Sequence, residues 1–285
     1  MKIAALVQVH LRPDLAAYLL NRLSTPLWNV YVHVDRKTDV APFGALSDRA
    51  VFLRRRKRVF WGGFSQIEAT LLLLRRAYGD TENTHFYLMS GQCFPIKTDV
   101  EIEHRLRQCG GNFVSMVKMP THEKPLLRLN RWHCNDVRYG KLHRYRRAFF
   151  RRLPERNLHR LLRGMEPWAG SQWWLLNRLA VGQIFDFVSR NRWYPRAFWY
   201  SHCPDECFFQ TLVRHLGIVL DGGSPTFARF IGDNWHAEIL TREMLADVTR
   251  GWHFAARKFD RFPDELSLGL AAVSATPSTA LAGEM

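Results

Sequence analysis

No uninterrupted apolar run in this sequence approaches the roughly 18 residues that a membrane-spanning helix needs. The leucine run Leu71–Leu74 is short and closed by Arg75 and Arg76. The N-terminal run Ile3–Val9 ends at His10 with no small-residue cleavage site after it, so it does not read as a signal peptide. Cysteine is scarce and odd in number: five residues, none in a Cys-x-x-Cys pair. This argues against a secreted disulfide scaffold and for reduced thiols. A cytoplasmic chain is the expectation. Acidic residues are in short supply, 26 against 41 Lys and Arg, for a formal net charge of +15. An isoelectric point near 10.1 asks for an anionic partner: nucleic acid, an anionic membrane surface or a phosphorylated substrate.

The usual phosphate-binding signatures are missing as well. There is no Gly-x-x-x-x-Gly-Lys-Ser/Thr loop and no Gly-x-Gly-x-x-Gly after a strand. No Asp-x-Asp occurs anywhere, and the nearest substitute, Glu101-Ile102-Glu103, falls in an expected helix. A paired-carboxylate clip for a metal and a nucleotide is therefore absent. A diphosphate bound here would be neutralised by Arg and Lys.

What remains is the composition of a folded protein, 47% hydrophobic and 24% charged over 285 residues. The first 120 residues alternate strand and helix signals. Strands are expected at Lys2–Val9, Val30–Val34, Val51–Leu53, Phe86–Met89 and Phe113–Val117. Helices are expected after Pro13, from a cap at Ser65, and over Asp99–Leu106. The middle differs. Arg128–Arg163 holds twelve Lys/Arg against two acids, Asp136 and Glu155, with apolar residues at helical spacing. It reads as one or two amphipathic helices with a basic face. A strand at Trp173–Leu176, helices over Val181–Val188 and Glu206–Leu216, and a strand at Gly217–Leu220 follow. The tail from Ala271 is small, polar and uncharged until Glu284, and disorder is expected there. The β-α-β-α rhythm implies an α/β fold with a mostly parallel sheet and helices on both faces.

Four segments can carry chemistry. In Cys203-Pro204-Asp205-Glu206-Cys207, Pro204 suits the first turn of a helix, which would hold both carboxylates there. That is either a plain acidic helix start or a carboxylate poised as general base. The same segment, with His202, His133 and Cys134, gives a zinc alternative that has only one usable pair. In Phe254–Asp260, Arg257 and Lys258 lie between aromatic anchors, either as a solvated basic turn or as a diphosphate clamp. Asp35, closing His33-Val34-Asp35 at a strand end, is a turn former or a nucleotide contact. Trp61-Gly62-Gly63 is a simple loop or a place of close backbone approach.

Taken together and in order, several segments resemble one family. They are His33-Val34-Asp35-Arg36-Lys37, Trp61-Gly62-Gly63, Leu88-Met89-Ser90-Gly91-Gln92 with Phe94-Pro95-Ile96, Gly170-Ser171-Gln172-Trp173-Trp174, Pro204-Asp205-Glu206 and Phe254–Asp260. They resemble the core-2/I-branching glycosyltransferases, which include β-1,6-N-acetylglucosaminyltransferases and peptide O-xylosyltransferases. The resemblance runs from about Lys2 to Asp260. It implies a GT-A-like (Rossmann-like) fold, a UDP-sugar donor, inversion at the anomeric carbon, and no metal or other cofactor. Carried across, Glu206 is the general base, and Lys258 with Arg257 takes the diphosphate. Val9, His10 and Asp35 fall where the uridine is held. Gly170, Ser171, Trp173, Trp174 and Asp205 fall where the acceptor is cradled, and Trp61 and Trp235 are further aromatic faces for sugar rings.

The chain departs from the pattern at Cys93, where the family commonly has Asp, and in the basic segment 128–163, which has no matching counterpart. It shows neither the N-terminal anchor nor the disulfides of the animal members. The expectation is a bacterial-type enzyme of surface-glycan synthesis, cytoplasmic or peripheral at the inner face of the membrane. One domain over 1–270 would carry 128–163 as a basic helical insertion, with 271–285 as a tail. The donor sugar is xylose or N-acetylglucosamine. The acceptor would be a glycan, a lipid-linked glycan or a peptide. The competing reading is a nucleic-acid-binding protein using 128–163, but no recognised nucleic-acid module is present.

Overall fold

Ile3–Val9 is apolar on both faces except at Gln8, the pattern of a strand covered on both sides. A computed structural model describes residues 1–46, 48–136, 141–231 and 236–261. The chain runs from β1 (Ile3–Val9) through α1 (Pro13–Arg22) to β2 (Trp28–Val34) and β3 (Val51–Phe52). Then come α2 (Ser65–Tyr78), β4 (His85–Ser90), β5 (Phe94–Pro95) and α3 (Asp99–Arg107). The basic middle holds β6 (Val117–Lys118), α4 (Leu127–Asn130), α5 (Lys141–Arg152), α6 (Leu158–Leu161) and β7 (Trp168–Ala169). β8 (Leu175–Asn177) runs straight into α7 (Arg178–Arg190), followed by α8 (Trp193–Ala197), α9 (Phe208–His215), β9 (Thr226–Ala228), α10 (Arg242–Arg250) and β10 (Ala255–Arg257).

Among the described residues, the main sheet has the order β3-β2-β1-β4-β8. The pairings of β1 with β2 and β4, and of β2 with β3, are parallel; β8 is an antiparallel edge. This is a mixed α/β fold, mostly parallel and flanked by helices, consistent with a GT-A-like glycosyltransferase. The alternation along β1 divides the core in two. Ile3, Ala5, Val7 and Val9 pack with Leu19, Leu20 and Phe254. Ala4 and Leu6 pack on the other face with Ile67, Leu73 and Leu212. A smaller sheet, β5-β10-β9, lies beside the first core, because Phe254, Ala255 and Ala256 belong to that cluster.

The strand order reverses between β1 and β4. After β1 the chain builds outward through β2 and β3, then returns to add β4 on the other side. In open α/β sheets, ligands bind in the crevice outside the carboxyl ends of the strands at such a reversal. Here that crevice lies beyond Val9 and Ser90.

The structure corrects several expected elements. Ser65 does not cap α2: it is the first helical residue, and its Oγ accepts the Phe60 N–H and bonds Asp136 instead. Phe113 does not start a strand; it makes isolated bridges to Leu175 and Gly222, and the ladder begins only at Val117. Residues 217–220 are not a strand. Gly217, at φ +65°, ends α9, and the Val219 carbonyl is taken by the Asn112 side chain. The helix expected over Glu206–Leu216 is split. Pro204–Glu206 is a separate 3-10 turn, and Cys207, at φ −129°, breaks the chain before α9. Among the described residues no helix is long and apolar enough to cross a membrane. The expected tail 271–285, Trp235 and residues 137–140 of the basic segment lie outside the described residues.

Candidate active site

At the strand reversal, His10 follows β1 and Asp35 follows β2. The Asp35 N–H donates to the Val9 carbonyl at 2.8 Å. Its carboxylate accepts the Lys37 and Val59 N–H groups at 2.9 and 3.3 Å, with the Lys37 ammonium at 3.3 Å. Asp35 thus closes a turn that binds the 57–59 strap, the structural role the sequence left open. Beside it, burial pushes the His33 imidazole down to about 4, and its Nε2 accepts the Lys57 N–H at 2.9 Å. Val9 is a core residue, 3% exposed, so only its backbone faces the crevice. Gly91 allows the loop after β4 to lie across the end of β1, where a Cβ would come within 2.9 Å of Val9 Cγ1.

Lys258 is carried to the same place. Phe254 and Phe259 are buried anchors on either side of the Arg257-Lys258 pair, as their spacing suggests. The Phe259 N–H donates to the Gln92 carbonyl at 3.1 Å, and Gln92 Nε2 donates to the Phe259 carbonyl at 3.2 Å. Arg12, in the loop after β1, donates to the Asp260 carbonyl. The segment is therefore stitched to the loops that follow β4 and β1. The His10 imidazole registers the result. Burial lowers its pKa, the Asp35 charge opposes this, and Lys37 and Lys258 push it down further. The four side chains share one electrostatic neighbourhood.

Arg257 is different in kind. Its guanidinium lies 4.4 Å from the centroid of the Trp173 ring, and among the described residues its Nε has no hydrogen-bond partner. Burial lowers its pKa, with the Cys93 thiol pulling the other way. Cys93 is itself buried, its Sγ 3.3 Å from Ser90 Oγ. A half-buried guanidinium with no carboxylate beside it among the described residues is costly unless an anion is supplied.

Glu206 ends the 3-10 turn. Both Lys124 Nζ and Arg128 Nη1 reach its Oε2 at 2.5 Å. Arg128 is held in turn, with Nη2 donating to the Glu123 carbonyl at 3.0 Å. The Glu206 carbonyl accepts the Gly170 N–H at 2.8 Å. Gly170 must be glycine, since a Cβ there would fall 1.8 Å from the Ser115 carbonyl oxygen. Asp205 turns inward. It is 8% exposed, and its Oδ2 accepts Gln66 Nε2 at 2.8 Å while Oδ1 has no partner among the described residues. Burial and the neighbouring Glu206 charge push its pKa up to about 7.

The 170–174 stretch divides by burial. The Ser171 carbonyl accepts Gln210 Nε2 at 2.6 Å, and its Oγ accepts the Trp173 N–H at 3.2 Å. Trp173 carries Arg257 on its face. Trp174 is completely buried, packed on Phe209 at 4.9 Å between ring centroids, and has no open face on which a sugar could stack. Trp61 is open, 54% exposed, with its ring 5.4 Å from His202. It lines a cavity of about 600 Å³ with Trp132, His133, Asn135, Phe150 and His202. That cavity adjoins the Glu206 segment: the Cys203 N–H donates to the Gly62 carbonyl, and the His202 N–H to the Arg128 carbonyl. The zinc alternative is not assembled. Cys207 packs on the Met119 sulfur at 3.8 Å, and no group of three or more His, Cys, Asp or Glu among the described residues is placed to hold a metal ion.

Sequence reasoning missed Lys124 as a site residue and treated Arg128 only as part of a basic face. No local pattern marks them, because Glu206 lies 82 and 78 residues further along. The family described as Core-2/I-Branching enzyme matches residues 17–224. A human β-1,3-galactosyl-O-glycosyl-glycoprotein β-1,6-N-acetylglucosaminyltransferase is 28% identical over 149 residues, which is 49% of this chain and 34% of that protein. The chain thus spans about a third of the length of that relative. With most of its described strands and helices inside the matched region, the chain belongs to the Core-2/I-branching family of glycosyltransferases.

Proposed function

We propose that this chain transfers a sugar from a UDP-sugar to an acceptor hydroxyl, with inversion and without a divalent metal. Glu206 is the general base. With both cations on Oε2, Oε1 is the oxygen that takes the acceptor proton, and Lys124 and Arg128 hold the carboxylate in position. Arg257 and Lys258 bind the diphosphate and stabilise the charge that develops as it leaves. His10 and the Asp35 turn form the nucleoside end. The lack of an Asp-x-Asp and the Arg257 Nε left without a hydrogen-bond partner among the described residues support a leaving group neutralised by side chains. A single displacement inverts because base and leaving group lie on opposite faces of the donor carbon, the logic of the inverting glycosidases with a sugar hydroxyl in place of water.

The observation that carries this reading is the continuity of the two halves. Glu206 is tied through Gly170 to the 170–173 segment, and Trp173 stacks on Arg257. Base and phosphate cation are thus linked through a single short stretch of chain. Xylose and N-acetylglucosamine are the two donors the motifs favour. The acceptor enters from the side of Trp61 and the adjoining cavity.

The test is UDP release over a panel of UDP-sugars with wild-type and Glu206→Gln protein. Gln keeps the shape but cannot accept the proton, so turnover should fall about 10²–10⁴-fold while donor affinity is kept. A Glu206→Gln protein with near-wild-type kcat would refute the base assignment.

A further inference from the structure

We propose that the outward face of α5 is a docking surface for an anionic phospholipid bilayer. The helix reads KLHRYRRAFFRR, with six Lys/Arg and no acid in twelve residues. Phe150 is its inward anchor, packed on Tyr200 and Trp132 with ring centroids 5.5 and 6.3 Å away. Tyr145 and Phe149, four residues apart and so on one helical face, are 77% and 61% exposed. Arg146, Arg151 and Arg152 around them are exposed too. Two large aromatics left in water beside three cations on one short helix is the pattern of a helix lying in a bilayer interface. There the rings enter the headgroup boundary and the cations meet lipid phosphates.

Charge complementarity selects the occupant. Each Lys or Arg near an anionic membrane surface is worth about fivefold in partitioning, and α5 has no carboxylate to offset its cations. The aromatic pair adds an apolar contact that a purely electrostatic partner would not use. Phe150 and Arg151 also line the cavity beside Trp61 and His202, so docking through α5 would bring that opening to the bilayer surface. The docking itself does not depend on the transferase reading.

Sedimentation of the full chain with vesicles tests it. Vesicles of phosphatidylglycerol and phosphatidylcholine in equal parts should bind the protein at low salt, and pure phosphatidylcholine vesicles should not. Binding should weaken steeply in about 1 M salt, where the Debye length falls to roughly 3 Å. Arg146→Gln with Arg152→Gln should lower partitioning about thirtyfold. Tyr145→Ser with Phe149→Ser should also lower it. Both variants should keep the wild-type melting temperature and the thermal shift with UDP, which separates this claim from the donor site. Equal binding to neutral vesicles, or variants that bind anionic vesicles as the wild type does, would overturn the proposal. So would binding to a mixed-sequence single-stranded oligonucleotide, with no vesicle binding, that is lost on the same substitutions.

Discussion

Asp205 and Glu206 are neighbours in sequence with opposite surroundings. Glu206 meets two cations, whereas Asp205 is buried with one oxygen unpartnered among the described residues. Burial raises the Asp205 pKa from an ordinary 3.8 to about 7. The folded state therefore keeps a proton that the unfolded chain releases between about pH 4 and pH 7, so this group subtracts stability as pH rises through that window. Asn at 205 can still accept Gln66 Nε2 and has no proton to lose. Asp205→Asn should thus be more stable than wild type by an amount that grows from pH 5 to pH 8, on the order of 1–4 kcal/mol. Thermal melts at the two pH values check this; a difference independent of pH would mean that the side chain is not protonated by burial. The sequence marked both carboxylates but not their division of labour. The Pro204-Asp205-Glu206 pattern is local, whereas Gln66, Lys124 and Arg128 come from distant parts of the chain.

At the scale of elements, what was legible follows from periodicity. β1, β2 and β4 are mostly apolar on both faces, with Gln8, Asn29, His33, His85 and Ser90 as exceptions, and each appears within two residues of its expected bounds. The short ladders β5, β9 and β10, of two or three residues each, carry no periodic signal, and α10 was not expected either. Yet β10 delivers Arg257, and its anchors Phe254 and Phe259 were visible as an aromatic pair around two cations. Gly170 shows the same limit. Its motif was read as an acceptor cradle, but its need for glycine comes from the Ser115 carbonyl, 55 residues away in sequence. Gly170→Ala would force the new Cβ against the Ser115 backbone. It should cost about 1–3 kcal/mol of stability and lower kcat by displacing the carbonyl of Glu206. A variant with wild-type melting temperature and turnover would show that this contact does not position the base.

On the scale of the whole molecule, the fold brings distant loops to one strand reversal. The loops after β1 and β4 meet the 257–260 segment there, through Arg12 and Gln92, and the Asp35 turn after β2 is tied to the end of β1. The excess of cations, +15 overall, is spent in two places. A few, Lys124, Arg128, Arg257 and Lys258, are those we propose for the site, and many are carried along the basic middle segment. Composition announces the excess but cannot divide it, since burial and exposure depend on which turns of the chain pack together. The central claim is that the inner group binds a sugar-nucleotide diphosphate without a metal. Calorimetric titration of UDP and of uridine into chelator-treated wild-type and Lys258→Ala protein tests it most directly. The account predicts that UDP binds in the presence of EDTA. It also predicts that Lys258→Ala weakens UDP about ten- to hundredfold, the worth of one charge-assisted phosphate contact, while uridine binding is little changed. UDP binding abolished by EDTA and restored by Mg or Mn, or equal losses for both ligands, would contradict it.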